Sequence, residues 1–347
     1  MKPKDFAKKH DPANLYQTLI ETHTQIDAAW NRDLDLAATE GVPFESVVVT
    51  GLGGSAIAGD VMADFLGDDL ALPWRVNRDY RLPAYVNEKT LVVVSSYSGD
   101  TEETLSSLKD AMAKNAKIVC ITSGGAVAAT AKAKGLPLVD MPKGFQPRYA
   151  LGASFFSLLK VLEALNVAPP SDALVEEIRA LWKRRGEEYA EAPNRAFDVA
   201  ATLIGKTPAI YSAVGVTEAA GWRFKGQLNE NAKTLAFHAP FPEMNHNEIV
   251  GWETVRGELS SLVPIYLPDT AAHPRTLLRF EIVERILGKS GVESMTLQGE
   301  GEDRRVRLMD LVYLLDWVSY WLAVLRGYDP GEIDNIMALK KELSEKP

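Results

Sequence analysis

Two stretches decide the fold: Ser46-Val47-Val48-Val49-Thr50-Gly51-Leu52-Gly53-Gly54-Ser55, and Thr90-Leu91-Val92-Val93-Val94-Ser95-Ser96-Tyr97-Ser98-Gly99-Asp100-Thr101. Each is a β-branched run suited to a strand that ends in glycine or hydroxyl residues and passes into a helix-like segment, 55–67 and 101–114. Units of this kind assemble as a parallel sheet. Both turns then lie at the carboxyl edge of neighbouring strands, where open α/β sheets bind ligands. One turn offers glycine backbone and Ser55; the other offers Ser95, Ser96, Ser98 and Thr101. Backbone N–H groups at a helix N-terminus, joined by hydroxyl donors, suit a phosphate. Neither turn holds a lysine or a cluster of metal-binding carboxylates, so the expected guest is a small phosphomonoester rather than ATP.

Outward from these turns the alternation continues. Strands are expected at 74–77, 117–122 and 137–140, and a helix at 126–134. A leading helix over 13–38 carries Leu15, Leu19, Ile26, Trp30 and Leu34 at near-helical spacing. A loop at 141–152 opens helices at 153–166 and 171–192. A second alternation follows: strand 208–215, helix 217–231, strands 233–237 and 260–267, helix 275–288, strand 292–297 and an apolar helix at 308–326. The expected fold is α/β, with two doubly wound parallel-sheet domains built as αβα sandwiches. The division reads as an N-terminal helical segment 1–45, a first domain 46–152, a helical connection 153–195 and a second domain 196–347. Only the first domain carries the hydroxyl-rich turns.

Composition narrows the function. The 347 residues are 46% hydrophobic and 24% charged, with a net charge of −9, which argues against nucleic acid or an anionic membrane as partner. A locally positive pocket can still receive an anionic substrate. The single Cys120 excludes an intrachain disulfide and a cysteine-rich metal site. The opening Met1-Lys2-Pro3-Lys4-Asp5 lacks a signal-peptide apolar run. No apolar run reaches the roughly 18 residues of a membrane span. A soluble cytoplasmic protein is expected.

A rival reading uses the same glycines. Gly51, Gly53 and Ala56 fit G-x-G-x-x-A, and Asp79 falls where a ribose-binding acid would stand, which would make the chain an NAD-dependent dehydrogenase. The second turn argues against it, because a dinucleotide leaves the pyrophosphate to the first turn. A buried hydroxyl without a partner costs about 1–3 kcal/mol, whereas each hydrogen bond to a charged group returns about 1.5–3 kcal/mol. Four neighbouring hydroxyls therefore favour a bound anion. Ser98 and Thr101 are also placed to cap the following helix, which is compatible with anion binding.

With these turns in hand, the chain resembles the sugar isomerase (SIS) superfamily. Further blocks resemble the bifunctional phosphoglucose/phosphomannose isomerases: Phe145-Gln146-Pro147-Arg148-Tyr149-Ala150-Leu151-Gly152, Asn229-Glu230-Asn231-Ala232-Lys233, Phe241-Pro242-Glu243-Met244-Asn245-His246-Asn247-Glu248, then Asp329-Pro330 and Leu339-Lys340. The likeness runs in order from about residue 45 to the C-terminus. It implies two SIS domains, a homodimer, no metal and no cofactor, with glucose 6-phosphate and mannose 6-phosphate interconverted with fructose 6-phosphate. By motif, Gly54, Ser55, Ser96, Ser98 and Thr101 would bind the sugar phosphate, and Arg148 would sit by the reacting carbons. Glu230 would be the base, His246 of the partner subunit would open the ring, and Lys340 would complete the site. Asp100 departs from the asparagine usual in the family; it is expected to point away from the phosphate and cap the helix.

The residue types fit that chemistry. One carboxylate can take a proton from one carbon and return it to the next through a cis-enediol(ate), and burial is expected to tune Glu230 toward the working pH. Arginine keeps its charge and can stabilise a developing oxyanion. Histidine titrates near neutrality and can shuttle the ring-opening proton. Each residue also has a plainer reading. Glu230 and Arg148 could be surface charges, His246 could bond Glu243 or Glu248, and Lys340 could be a solvated helix end. His10, His23, His238 and His273 lack comparable context, and no third metal ligand accompanies His238 and His246. A non-catalytic sugar-phosphate-binding SIS protein remains the alternative function. A glutamine-dependent aminosugar synthase is disfavoured, because Cys120 lies in an expected strand.

Overall fold

The computed structural model describes residues 3–39, 41–256 and 261–345. Three short helices lead: α1 (Pro3–His10), α2 (Leu15–Ile20) and α3 (Thr22–Trp30). The first alternation is β1 (Ser46–Thr50), α4 (Gly53–Leu66), β2 (Trp74–Asn77), β3 (Thr90–Ser96), α5 (Glu102–Ala113), β4 (Lys117–Thr122), α6 (Gly125–Lys134) and β5 (Leu138–Asp140). Helices α7 (Leu151–Ala164), α8 (Asp172–Ala190) and α9 (Arg195–Thr202) connect it to the second. That comprises β6 (Thr207–Ala213), α10 (Glu218–Glu230), β7 (Phe237–Phe241), the one-turn α11 (Glu248–Gly251), β8 (Leu262–Leu267), α12 (Pro274–Gly288), β9 (Met295–Thr296), α13 (Arg304–Leu325) and α14 (Asp334–Ser344).

Both sheets are parallel, with strand order β2-β1-β3-β4-β5 in the first and β7-β6-β8-β9 in the second. In the first, β1 lies between β2 and β3, so the strand order reverses there and leaves a crevice at the carboxyl ends of β1 and β3. The quoted glycine and hydroxyl turns occupy that crevice. Strands β1 and β3 are buried along their whole length, as expected of a parallel sheet covered on both faces. Successive side chains alternate between the two cores. Val47, Val49, Leu91 and Val93 face a large central core, whereas Val48, Val92 and Val94 face a smaller outer one with Leu108 and Val127. The second sheet repeats the scheme, with Ile210 and Ile265 toward the central core and Tyr211, Phe241 and Tyr266 toward an outer aromatic cluster around Phe280.

Helix α13 runs through the middle of that central core and packs on α1, α4, α8, α9 and α10. By length and mean hydropathy it could cross a membrane, but 94% of its apolar window is buried inside the fold. Asp310 and Asp316 interrupt its apolar sequence, and both are buried beside arginines.

Three sequence expectations change. The leading helix over 13–38 is broken: α2 ends at Ile20, α3 ends at Trp30, and the chain beyond is irregular. The strand expected at 233–237 lies at Phe237–Phe241, because Lys233 adopts φ 50° and turns the chain away from extended structure. The strand at 292–297 shortens to Met295–Thr296. Residue 260 of the strand expected at 260–267 lies outside the described residues.

Candidate active site

The hydroxyl turn after β3 is organised as a relay. Gly99 N–H donates to Ser96 Oγ (3.1 Å), and Ser96 Oγ donates to Thr101 Oγ1 (3.3 Å). A donor chain ending on Thr101 turns that residue's own proton outward, polarised by the bonds behind it. Thr101 stands at the N-cap of the twelve-residue α5 yet makes no side-chain cap bond. The first N–H groups and positive dipole end of α5 are therefore left without a side-chain acceptor, and the capping expected of Thr101 is not made. Ser98 Oγ accepts from Asp100 N (3.3 Å) and is exposed. Ser55, on the first turn of α4, accepts from Tyr97 N (3.0 Å) and ties the two turns together.

Asp100 points away from this turn, as expected, but onto a different helix. Its Oδ1 accepts from Ala126 N (2.8 Å) in the first turn of α6. The carboxylate is satisfied by that helix's N-terminus.

The glycines serve backbone contact. Gly53 has φ +52°, and a Cβ on Gly54 would stand 2.6 Å from the Pro147 carbonyl oxygen. Only glycine lets the start of α4 meet the turn 147–149, which delivers Arg148. Arg148 is 4% exposed. Its Nε donates to Asn231 Oδ1 (2.6 Å) and its Nη2 to the Pro330 carbonyl. Its remaining arm, Nη1, lies 3.5 Å from Glu230 Oε2.

Glu230 is the last residue of α10. Helices α4 and α10 run antiparallel, since Ala219 N at the start of α10 donates to Asp64 Oδ2 near the end of α4 (2.7 Å). Between them lies a cleft of about 390 Å³, lined by Gly54, Ile57 and Asp60 of α4, by Trp222 and Glu230 of α10, and by Arg148. Glu230 also borders a second cavity, of about 370 Å³, with Lys233, Tyr328 and Ile333. Its side chain is 33% exposed, so the burial expected of it is only partial in the single chain.

The structure thus brings together Gly54, Arg148 and Glu230, and ties Ser55 to Ser96, Ser98 and Thr101 through the β3 turn. His246 and Lys340 stand apart. His246 ends a short 3-10 turn, Glu243–His246, and is exposed; Lys340 lies on α14, which buries none of its side chains. Neither lines the cleft. Among the described residues, no group of three or more His, Cys, Asp or Glu side chains is placed to hold a metal.

Sequence reasoning missed two contributors. Lys233 donates its ammonium to the carbonyls of Glu230 (3.1 Å), Asn231 (3.3 Å), Asp329 (2.5 Å) and Glu332 (3.0 Å), clamping the end of α10 to the segment that holds Arg148. Burial, aided by the nearby Arg148 charge, lowers its pKa. His238 packs edge-on against Trp222 and shares a 2.7 Å hydrogen bond with Ser212; burial holds its pKa down to about 4. The motif Asn229–Lys233 contained the first signal; nothing local marked the second.

Two parallel sheets around a shared helical core, with a hydroxyl turn at the switch point of the first, define a protein of two sugar isomerase domains. Family models agree: a SIS domain matches residues 44–167, and the bacterial phospho-glucose isomerase C-terminal SIS domain matches 192–343. A bifunctional phosphoglucose/phosphomannose isomerase of Caldicellulosiruptor bescii is 40% identical over 338 residues, covering 95% of this chain and 99% of its own. A D-glucosamine-6-phosphate 4-epimerase of Sulfolobus acidocaldarius is 33% identical over 260 residues, 74% of this chain and 77% of its own. Among solved structures, a hypothetical protein of Thermus thermophilus superposes with a TM-score of 0.74 at 16% identity, covering 99% of this chain and 93% of that one. The chain belongs to the family of bifunctional phosphoglucose/phosphomannose isomerases.

Proposed function

We propose that this chain interconverts glucose 6-phosphate and mannose 6-phosphate with fructose 6-phosphate by moving a proton between C1 and C2. The observation that carries the reading is the pair of Glu230 and Arg148 at the wall of the cleft, a carboxylate 3.5 Å from a guanidinium arm. The free N-terminus of α5 and the outward-facing Thr101 hydroxyl hold the phosphate, with Ser55, Ser96, Ser98 and the Gly54 backbone. Glu230 removes the C2 proton of the open-chain aldose. Negative charge then grows on the carbonyl oxygen, and Arg148 Nη1 stabilises it as a cis-enediol(ate). The hydroxyl proton on O2 passes to O1 within the cis-enediol(ate), Glu230 returns its proton to C1, and the ketose results with its carbonyl at C2. Hydrogen moves within the substrate, so electrons balance with no external acceptor.

The cyclic sugar must open first. His246 supplies that proton shuttle from the partner subunit of a homodimer, a reading supported by its exposure and by its absence from the lining of its own cleft. Lys340 completes the site. The protein works in the cytoplasm, with domains divided as the sequence suggests, at 46–152 and 196–347.

A second reading, epimerisation at C4 of glucosamine 6-phosphate, is favoured by the Sulfolobus acidocaldarius relative alone. It would use the same phosphate turn. Replacing Glu230 with Gln tests the isomerase reading. The variant is expected to fold and to bind inorganic phosphate as the native protein does, with turnover of fructose 6-phosphate lost. Undiminished turnover would remove Glu230 from the mechanism.

A further inference from the structure

Arg148 belongs to a closed circuit of hydrogen bonds that runs into α13 and returns through Arg223, which with Gln227 also lines the cleft. Its Nε donates to Asn231 Oδ1 (2.6 Å), and Asn231 Nδ2 donates to Ser319 Oγ (3.0 Å). Ser319 Oγ donates to the main-chain carbonyl of Asp316 (2.7 Å). The Asp316 carboxylate accepts from Arg223 Nε (2.8 Å) and Nη2 (2.7 Å), and from Gln227 Nε2 (3.0 Å). Arg223 Nη2 also donates to the carbonyl oxygen of Arg148 itself (2.8 Å), which closes the loop. Asn231 and Ser319 have no exposed surface, and Arg148, Arg223 and Asp316 are 4–6% exposed.

The direction of the bonds is fixed by proton count. Serine has one hydroxyl proton, and Ser319 gives it to Asp316. Ser319 can then only accept from Asn231, so the amide must present Nδ2 to Ser319 and Oδ1 to Arg148. A flipped amide would set Nδ2 against Arg148 Nε–H, donor against donor. The guanidinium is thereby held by Nε and by Nη2 on Pro330, and Nη1 is the arm turned to Glu230. Charge is arranged as carefully. Asp316 pairs with Arg223, which lines the cleft beside Arg148, so Arg223 carries its own counter-charge and Arg148 keeps Nη1 for the cleft side, next to Glu230. Neither Asp316 nor Ser319 lines the cleft.

We infer that Ser319 and Asp316 are positioning residues for Arg148: they fix the Asn231 amide and the Arg223 brace so that one guanidinium arm meets the developing oxyanion. The inference rests on the proposed place of Arg148 at the reacting carbons. Preorganised donors act on the transition state more than on the bound substrate, so loosening the circuit should slow turnover and leave phosphate binding alone.

The test measures kcat and KM for fructose 6-phosphate, and the affinity for inorganic phosphate, in Ser319→Ala, Asn231→Asp and Arg148→Ala. In folded Ser319→Ala, kcat should fall about tenfold or more while KM stays within about threefold and phosphate affinity is unchanged. Asn231→Asp keeps the shape but draws the guanidinium onto a new charge, and it should behave likewise. If Ser319→Ala melts at assay temperature, Asn231→Asp decides alone. Lowered thermal stability with wild-type kcat and KM in the folded variants would show a merely structural circuit and overturn the inference. Arg148→Ala separates the two layers: an inactive Arg148→Ala beside fully active circuit variants rejects the positioning role only, whereas an active Arg148→Ala rejects the proposed role of Arg148 as well.

Discussion

Asp100 and Ser96 sit four residues apart in one turn, and the structure gives them opposite duties. The Asp100 carboxylate faces the backbone of α6, so its charge is directed away from the hydroxyl relay. Replacing it with Asn should leave the KM for a sugar phosphate within about twofold, because a carboxylate already bonded elsewhere and open to water is well screened. Replacing it with Ala removes the cap and should cost about 0.5–2 kcal/mol of stability, read by urea unfolding. A large gain in phosphate affinity in Asp100→Asn would mean that the carboxylate turns inward. The two strand-to-helix turns proposed to hold the phosphate were legible in the sequence because each is a contiguous stretch. The surroundings of Arg148 were not, since residues 148, 223, 231, 316 and 319 come from three separate parts of the chain. Their one local trace is the pair of aspartates in the apolar run of α13, which a buried helix tolerates only with partners.

At the level of elements, two helix N-termini stand out. That of α5 has no side-chain cap and should bind phosphate. Thr101→Val keeps the shape and removes the last hydroxyl of the relay; it should raise KM about tenfold or more with kcat little changed, the worth of one hydrogen bond to a charged group. Unchanged KM would place the phosphate elsewhere. The N-terminus of α10 is capped by Asp64 from α4, and that carboxyl is pushed up to about 7, chiefly by burial and despite the Ala219 N–H; Glu218 and Asp60 add to the rise and Arg304 opposes it. The native state therefore keeps this proton over a range in which the unfolded chain has released it. The folded state binds more protons between about pH 4 and 7, so stability falls as pH rises through that window. Asp64→Asn, whose amide oxygen can still accept from Ala219, should flatten that slope and be no less stable at pH 7.5. An unchanged slope would contradict the assignment. The strands of the first sheet were the most readable elements, because buried parallel strands are continuous β-branched runs. The break after Ile20 and the displaced β7 were not, because both depend on tertiary partners or an unusual φ, as at Lys233.

At the level of the molecule, two sheets share one core through α13, and the cleft between α4 and α10 lies where the two halves meet. His246 is exposed and α14 presents Met337, Leu339 and Leu343 to solvent, which the proposed homodimer would cover. Complementation tests the shared site. Glu230→Gln and His246→Ala are each expected to be inactive, and mixing them with subunit exchange should restore activity, since a mixed dimer regains one site with both residues native. No recovery from fully exchanged dimers would place His246 in its own subunit's site or outside the reaction. Isomerisation itself is tested by turnover with the purified, EDTA-treated protein. Fructose 6-phosphate, mannose 6-phosphate and glucosamine 6-phosphate would be offered separately, with the sugar-phosphate products followed. Fructose 6-phosphate is expected to yield glucose 6-phosphate, and mannose 6-phosphate to yield fructose 6-phosphate. Turnover of glucosamine 6-phosphate alone, or binding of all three without turnover, would contradict it.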